Sequence, residues 1–502
     1  MKKFFKYYLF KVVTIGGLLF LQLAALLACS CWAFLCLDFL RIALRIGAVI
    51  LALRVAVLPC NIPCRIGWII GILALPAVFM PLYFLFGRGG SIRRINKFVN
   101  ENKLLPADEE QNEISAPPHI AKQFLALRKK GGFPISQNSV CTYYPSGEDM
   151  FSGIKEIISR AEKYIFMEFF IISEGKMWGE VLELLKEKAK QGVKIYILRD
   201  ELGTICLLPK NYNQKLKKFG IECRIFNALS PKIKPDINYR DHRKIVSADG
   251  IYAITGGANI ADEYINAVSP YGYWKDTAVY LEGESAWSLS QMFIQMWNMS
   301  GGHLSPDSFK PNLLPSNNGY TGITQPFGDY PSCHMGFSES VFINMVTNAQ
   351  KTAYITTPYL IPDQPLVSAL CRAAENGTDV RLFTPLVPDK KYIHIMTRAN
   401  YVPLLKSGVK IYEYSKGFIH SKSILCDGNL GYVGSANLDY RSLYLHFECG
   451  VLMYDAAACT QLKNDFEKIL NVSVPIQKND KSVLKAKHNV FYRVLRIFSG
   501  LL

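Results

Sequence analysis

Two stretches of the chain place the same residue types in the same register, 178 positions apart. The first holds His242, Lys244, Asp249, Gly256 and Asn259; the second holds His420, Lys422, Asp427, Gly434 and Asn437. Each reads His, then Lys at +2, Asp at +7, Gly at +14 and Asn at +17. With each residue type at about one position in twenty, four such matches after a given His arise by chance roughly once in 10⁵. Two of only eight histidines carry the pattern. The repeat points to two half-sites that make one active site.

These residue types suit transfer of a phosphoryl-linked group. A neutral imidazole can attack phosphorus and form a covalent phosphohistidine. A protonated imidazole can give its proton to the leaving oxygen and later deprotonate the acceptor hydroxyl. Two lysines and two asparagine amides can stabilise charge on the non-bridging oxygens without a metal. The two histidines need different protonation states near neutral pH, which neighbouring carboxylates can arrange. Glu448, 28 residues after His420, is the candidate in the second half, and Asp276, after Trp274 and Lys275, in the first. Asp249 and Asp427 join the catalytic set through the repeat, but each precedes a glycine, so turn formation accounts for them at least as well. Asn259, Asn437, Ser435, Glu448 and Asp276 are read as substrate-binding residues. No metal or cofactor is called for.

The elements that must position these groups are legible as patterns. Each motif reads as strand, Asp-Gly turn, strand. His and Lys two apart on a strand share a face, and the Asn would return near it on the next strand. Around the motifs, strands at 164–170 and 193–198 flank a helix at 181–190. In the second half, strands at 353–357 and 380–383 flank a helix at 366–375. This alternation predicts mixed, mostly parallel sheets with helical cover.

Longer segments resemble a known family. They are 238–245 (Asn-Tyr-Arg-Asp-His-Arg-Lys-Ile), 256–264 (Gly-Gly-Ala-Asn-Ile-Ala-Asp-Glu-Tyr) and 273–277 (Tyr-Trp-Lys-Asp-Thr) in the first half. In the second they are 357–363 (Thr-Pro-Tyr-Leu-Ile-Pro-Asp), 417–422 (Gly-Phe-Ile-His-Ser-Lys) and 434–442 (Gly-Ser-Ala-Asn-Leu-Asp-Tyr-Arg-Ser). The paired motifs resemble those of the phospholipase D superfamily. The residues around them resemble its bacterial cardiolipin synthases, from about residue 12 to the C-terminus. The resemblance implies two phospholipase D-like domains, mixed β-sheets flanked by helices, related by a pseudo-two-fold axis with the site at their seam. It implies phosphatidyl transfer between two phosphatidylglycerol molecules, giving cardiolipin and glycerol through a phosphohistidine. It favours His242 as nucleophile and His420 as acid and base. Gly257 stands where many superfamily members have Ser, and His446 where Asn is expected. Trp274, Tyr359, Leu360 and Phe418 flank the motifs and could line an acyl-chain approach, although core packing explains any one of them better.

Composition bounds the setting. Uncharged apolar residues run through 12–37 and 66–87, and 46–60 is apolar apart from Arg54. The expectation is a membrane-spanning region over 1–90, with two spans favoured. A linker at 91–120 and domains at 121–325 and 326–502 follow. A helix at 489–502 is expected to lie on a membrane or on the protein's own core. Residues 1–100 hold +11 of the net +16. That excess suits anionic headgroups and a cell-membrane protein with its catalytic domains on the cytoplasmic side. The +5 of the remainder argues against nucleic acid, and so against a nuclease of the same superfamily. The other readings are a different acceptor, a hydrolytic phospholipase and a non-enzymatic scaffold. Thirteen cysteines show no paired framework or metal spacing and read as reduced thiols.

Overall fold

The computed structural model describes residues 2–36, 38–58, 62–87, 90–104, 114–230, 236–312, 322–332, 336–480 and 483. The helix expected at 489–502 lies outside them. The first unit carries β1 (Ser139–Tyr144), β2 (Tyr164–Phe169), β3 (Lys194–Asp200), β4 (Ile221–Phe226), β5 (Arg240–Asp241), β6 (Lys244–Ala248), β7 (Tyr252–Gly256), β8 (Tyr273–Lys275) and β9 (Ala278–Gly283). The second carries β10 (Ile323–Asp329), β11 (Thr352–Thr356), β12 (Leu360–Ile361), β13 (Asp379–Pro385), β14 (Lys410–Tyr414), β15 (Gly417–Ile419), β16 (Ser423–Cys426), β17 (Leu430–Gly434), β18 (Leu438–Asp439), β19 (His446–Tyr454) and β20 (Ser473–Ile476).

The two sheets repeat one topology. The first runs β1-β9-β7-β6-β2-β3-β4, and the second runs β10-β19-β17-β16-β11-β13-β14, extended by β20. Strand for strand the orders correspond, so the duplicated motif belongs to a duplicated fold. The expectation of mostly parallel sheets does not hold. Along each strand order only β2, β3 and β4, and likewise β11, β13 and β14, run parallel to one another; the other neighbouring pairs of these orders are antiparallel. The reason is local. A tight turn can only return the chain antiparallel, whereas a parallel neighbour needs a crossover helix. Asp249 and Gly250 (φ 56° and 68°), and Asp427 and Gly428 (52° and 79°), all adopt the left-handed conformation that favours such hairpins.

Side-chain alternation along these strands builds the core. In β6, Ile245 faces the second sheet while Val246 faces the helices of its own unit. Ile245, Ala253, Val279 and Leu281 join Ile355, Ile424, Val433 and Val451 in one buried cluster. The sheets therefore pack on each other through this shared apolar cluster. The helix Pro118–Gly131, which the expected boundaries give mainly to the first unit, packs on the second: Gln123 Nε2 donates to Val341 O, and Gln325 Nε2 donates to Phe124 O. β10 lies wholly in the second sheet, so the division falls before Ile323 rather than after residue 325.

The expected N-terminal transmembrane helices are not found. Among the described residues, no helix is long and apolar enough to cross a membrane. The run at 66–87 breaks at Leu75, leaving a helix of 13 residues (Ile62–Ala74) and one of seven (Pro76–Leu82). At 1.5 Å per residue the longer reaches about 20 Å, against a hydrocarbon core of about 30 Å. The helix Asp38–Ala56 carries Asp38, Arg41, Arg45 and Arg54, and Lys2–Cys36 begins among four lysines. For the run at 66–87, a count of apolar residues took no account of where the helices stop.

Candidate active site

Each motif histidine precedes its hairpin strand and is held by a strand of the opposite unit. The His242 N–H donates to Phe447 O (2.9 Å), and the His420 N–H donates to Lys275 O (2.7 Å). Parallel pairing of β5 with β19, and of β8 with β15, stitches the seam at both places. These exchanged strands decide which carboxylate meets which imidazole. Both Glu448 oxygens lie 3.0 Å from His242 Nδ1. Asp276 Oδ2 lies 2.6 Å from His420 Nδ1. The carboxylates therefore cross over: Glu448 serves the first histidine and Asp276 the second. The reading that kept each within its own half is corrected by the strand exchange.

Burial sets the protonation of this group. It drives His242 down to about 3, with Lys244 adding to the effect and Glu448 opposing it. It drives His420 down to about 4, with Lys422 adding and Asp276 opposing. For Glu448, burial pushes upward, but His242, His446 and Lys244 outweigh it and hold the carboxyl below its usual range. Asp276 is likewise pushed up by burial and pulled further down by His420 and Lys422. Both imidazoles are thus neutral, each donating Nδ1–H to an ionised carboxylate and leaving Nε2 as an electron pair. Each motif lysine also donates to the carbonyl of its own histidine. Burial lowers Lys244 to about 8 and Lys422 to about 7. The halves feel each other: Lys244 acts on His420, and Glu448 acts on Lys422. A phosphodiester anion stabilises the charged form of the groups around it, and so favours the protonated imidazole that the leaving oxygen requires.

The remaining expected residues divide. Asp249 accepts from the backbone N–H groups of Glu162, Lys163 and Tyr164, and Asp427 from those of Gln350, Lys351 and Thr352. Both carboxylates are spent fastening the start of a neighbouring strand, so they leave the catalytic set. Asn259 is also engaged, accepting from Ile171 N–H and donating to the Tyr264 hydroxyl. Asn437 donates to Asp439, while its buried Oδ1 has no hydrogen-bond partner. The Ser435 hydroxyl donates to Glu448 and so braces the carboxylate that orients His242. Trp274, Leu360 and Phe418 are buried. Of the four residues considered for an acyl approach, only Tyr359 is not fully buried, and its hydroxyl donates to Asp389.

Several contributors lie outside the repeat. Arg243 donates from Nε to Glu448 O and from Nη2 to Asp329 O, fixing the strand that presents Glu448. Lys275 pairs with Asp465 at 2.7 Å behind Asp276. Phe170 flanks His242, and Tyr264 flanks His420. Arg243 is visible inside the motif, but its targets lie far away in sequence.

Gly257 occupies the place of Ser435 in the other half. A Cβ there would sit 2.1 Å from Asp276 Oδ1. The shorter Asp276 needs that space, whereas the longer Glu448 accepts a hydroxyl. Gly257→Ala should therefore displace the carboxylate from His420. An orientation error of about 1 Å can cost around 10²-fold. A fall of that order in turnover is expected, and unaltered turnover would refute the packing account.

Comparison with known proteins agrees with this geometry. The family model described as cardiolipin synthase, PLD-like domain, matches residues 154–297 and 342–470. A cardiolipin synthase of Alkalihalophilus pseudofirmus is 32% identical over 410 residues, covering 80% of this chain and 81% of the relative. An uncharacterized protein of Streptococcus mutans is 40% identical over 378 residues, covering 75% and 81%. In fold, the chain is similar to phosphatidylserine synthase of Haemophilus influenzae, with a TM-score of 0.56 and 13% identity, covering 77% of this chain and 98% of that one.

Proposed function

This chain belongs to the cardiolipin synthases of the phospholipase D type, and on that premise we propose that its paired histidines carry a phosphatidyl group from one phosphatidylglycerol to another. His242 Nε2 attacks phosphorus, the bond to the departing glycerol oxygen breaks, and His420 gives that oxygen a proton. His420 then takes the proton of the second phosphatidylglycerol's hydroxyl. That oxygen displaces His242, leaving cardiolipin and free glycerol. Lys244 and Lys422 balance charge on the non-bridging oxygens. The supporting observation is the crossed carboxylates. Each imidazole has Nδ1 tied to an anion, which places the lone pair on Nε2, as a nucleophile and a proton carrier both require. The assignment of His242 as nucleophile follows the family resemblance.

We place this work at the cytoplasmic face of an anionic membrane, which the positive excess of residues 1–100 supports. The test is to give the purified protein phosphatidylglycerol alone. Cardiolipin and glycerol should appear in equal amounts. Phosphatidic acid without cardiolipin would instead mean that water is the acceptor.

A further inference from the structure

The two halves of the site differ in the ring beside each histidine. Trp274 lies two residues before Asp276, with its ring centroid 5.3 Å from that of His420. His446 lies two residues before Glu448, with its centroid 5.5 Å from that of His242. An imidazole thus replaces an indole on one side only, and three ligand atoms gather there. His242 Nδ1 is 3.0 Å from Glu448 Oε1, and His446 Nδ1 is 3.6 Å from the same oxygen. The ligand atoms of these three residues lie within 4.8 Å of one another.

A tetrahedral zinc ion bonded at about 2.0–2.2 Å holds neighbouring ligand atoms about 3.3 Å apart. Two of the three separations bracket that value, and the third, between the imidazoles, is within 4.8 Å. His446 Nδ1 is buried and faces Glu448 Oε1 at 3.6 Å, closer than an unrelated contact and longer than a well-formed hydrogen bond. Ser435 engages Glu448 Oε2, so Oε1 is the oxygen shared by the two imidazoles. Two imidazoles and one carboxylate make the ligand set of an open zinc site.

We propose that His242, His446 and Glu448 form a site for a divalent transition-metal ion of the zinc type, and that its binding switches the enzyme off. The ion takes the place of the Nδ1 proton of His242, which passes to solvent. Glu448 then bonds to the ion instead of to that proton. The imidazole loses the anionic support that stabilises positive charge on its ring, and Nε2 becomes a weaker nucleophile. The inhibitory consequence rests on the phosphatidyl-transfer reading; the binding does not.

Zinc alone, titrated calorimetrically into the chelator-treated full chain, tests the site. One equivalent should bind to the wild type. His446→Asn and His446→Gln should each weaken binding by about 100-fold, since loss even of an outer-shell group typically costs 10–100-fold. X-ray absorption of the zinc-loaded wild type should show two imidazoles in the coordination sphere. Zinc should suppress wild-type turnover, with recovery on adding chelator, while the ratio of turnover with and without zinc stays near one in both variants. No binding by the wild type, or equal binding by both variants, overturns the site. Bound zinc with undiminished turnover overturns the switch. Zinc bound through two imidazoles to a protein that makes no cardiolipin would instead remove the transfer reading and leave the site standing.

Discussion

Replacing His242 by Ala should lower cardiolipin formation by about 10⁴-fold or more, and His420→Ala should do nearly the same. Loss of one member of a nucleophile–base pair is that costly, and the effects of such residues do not add. The leaving group separates their roles. From a phosphatidyl ester of p-nitrophenol, the nitrophenolate departs without needing a proton. With that substrate, His420→Ala should still release a burst of nitrophenol and retain labelled phosphatidyl on the protein. His242→Ala should give neither. A labelled adduct on His242→Ala would exchange the roles of the two histidines. The expectation rests on two imidazoles that are alike in burial and protonation, so only chemistry that treats the steps differently can tell them apart.

The crossed carboxylates carry the second large effect. Glu448→Gln keeps the shape of the side chain but removes the charge that fixes the Nδ1–H tautomer of His242. Loss of the corresponding carboxylate in a Ser-His-Asp triad costs about 10⁴-fold, so a fall of about 10²–10⁴-fold is expected here. Asp276→Asn should cost a similar amount with phosphatidylglycerol. On the nitrophenyl ester the two variants should part. Glu448→Gln should suppress the burst as His242→Ala does, and Asp276→Asn should keep the burst and slow the turnover that follows, as His420→Ala does. If Glu448→Gln instead paired in behaviour with His420→Ala, each carboxylate would serve its own half.

Much of the site is legible along the chain because its parts are local. The hairpin in each motif follows from Asp249-Gly250 and Asp427-Gly428, whose left-handed backbone is a property of two neighbouring residues. The buried strand Tyr164–Phe169 and the helix Lys176–Lys190 follow from short apolar patterns. The same reasoning fails where a residue's partner is distant. Asp249 and Asp427 repeat as faithfully as the histidines, yet their carboxylates are consumed by backbone N–H groups more than seventy positions away. Periodicity shows that a residue is required in both halves; it does not show whether the requirement is chemical or structural. The uncharged runs near the N-terminus mislead in a similar way, since a count of apolar residues does not see the break at Leu75.

By itself, the sequence determined that there are two equivalent half-sites, that each brings an imidazole and an ammonium group, and that phosphodiester chemistry suits them. Those are facts about residue types at short separations, where the chain's own geometry leaves little choice. Only the tertiary structure decided which carboxylate orients which histidine. His242 and Glu448 are 206 residues apart, and His420 and Asp276 are 144 apart. Nothing local couples such positions. They meet because β5 and β8, which lie outside the first unit's sheet, pair with β19 and β15 across the seam, and backbone hydrogen bonding there, rather than any pattern in the side chains, sets the contact.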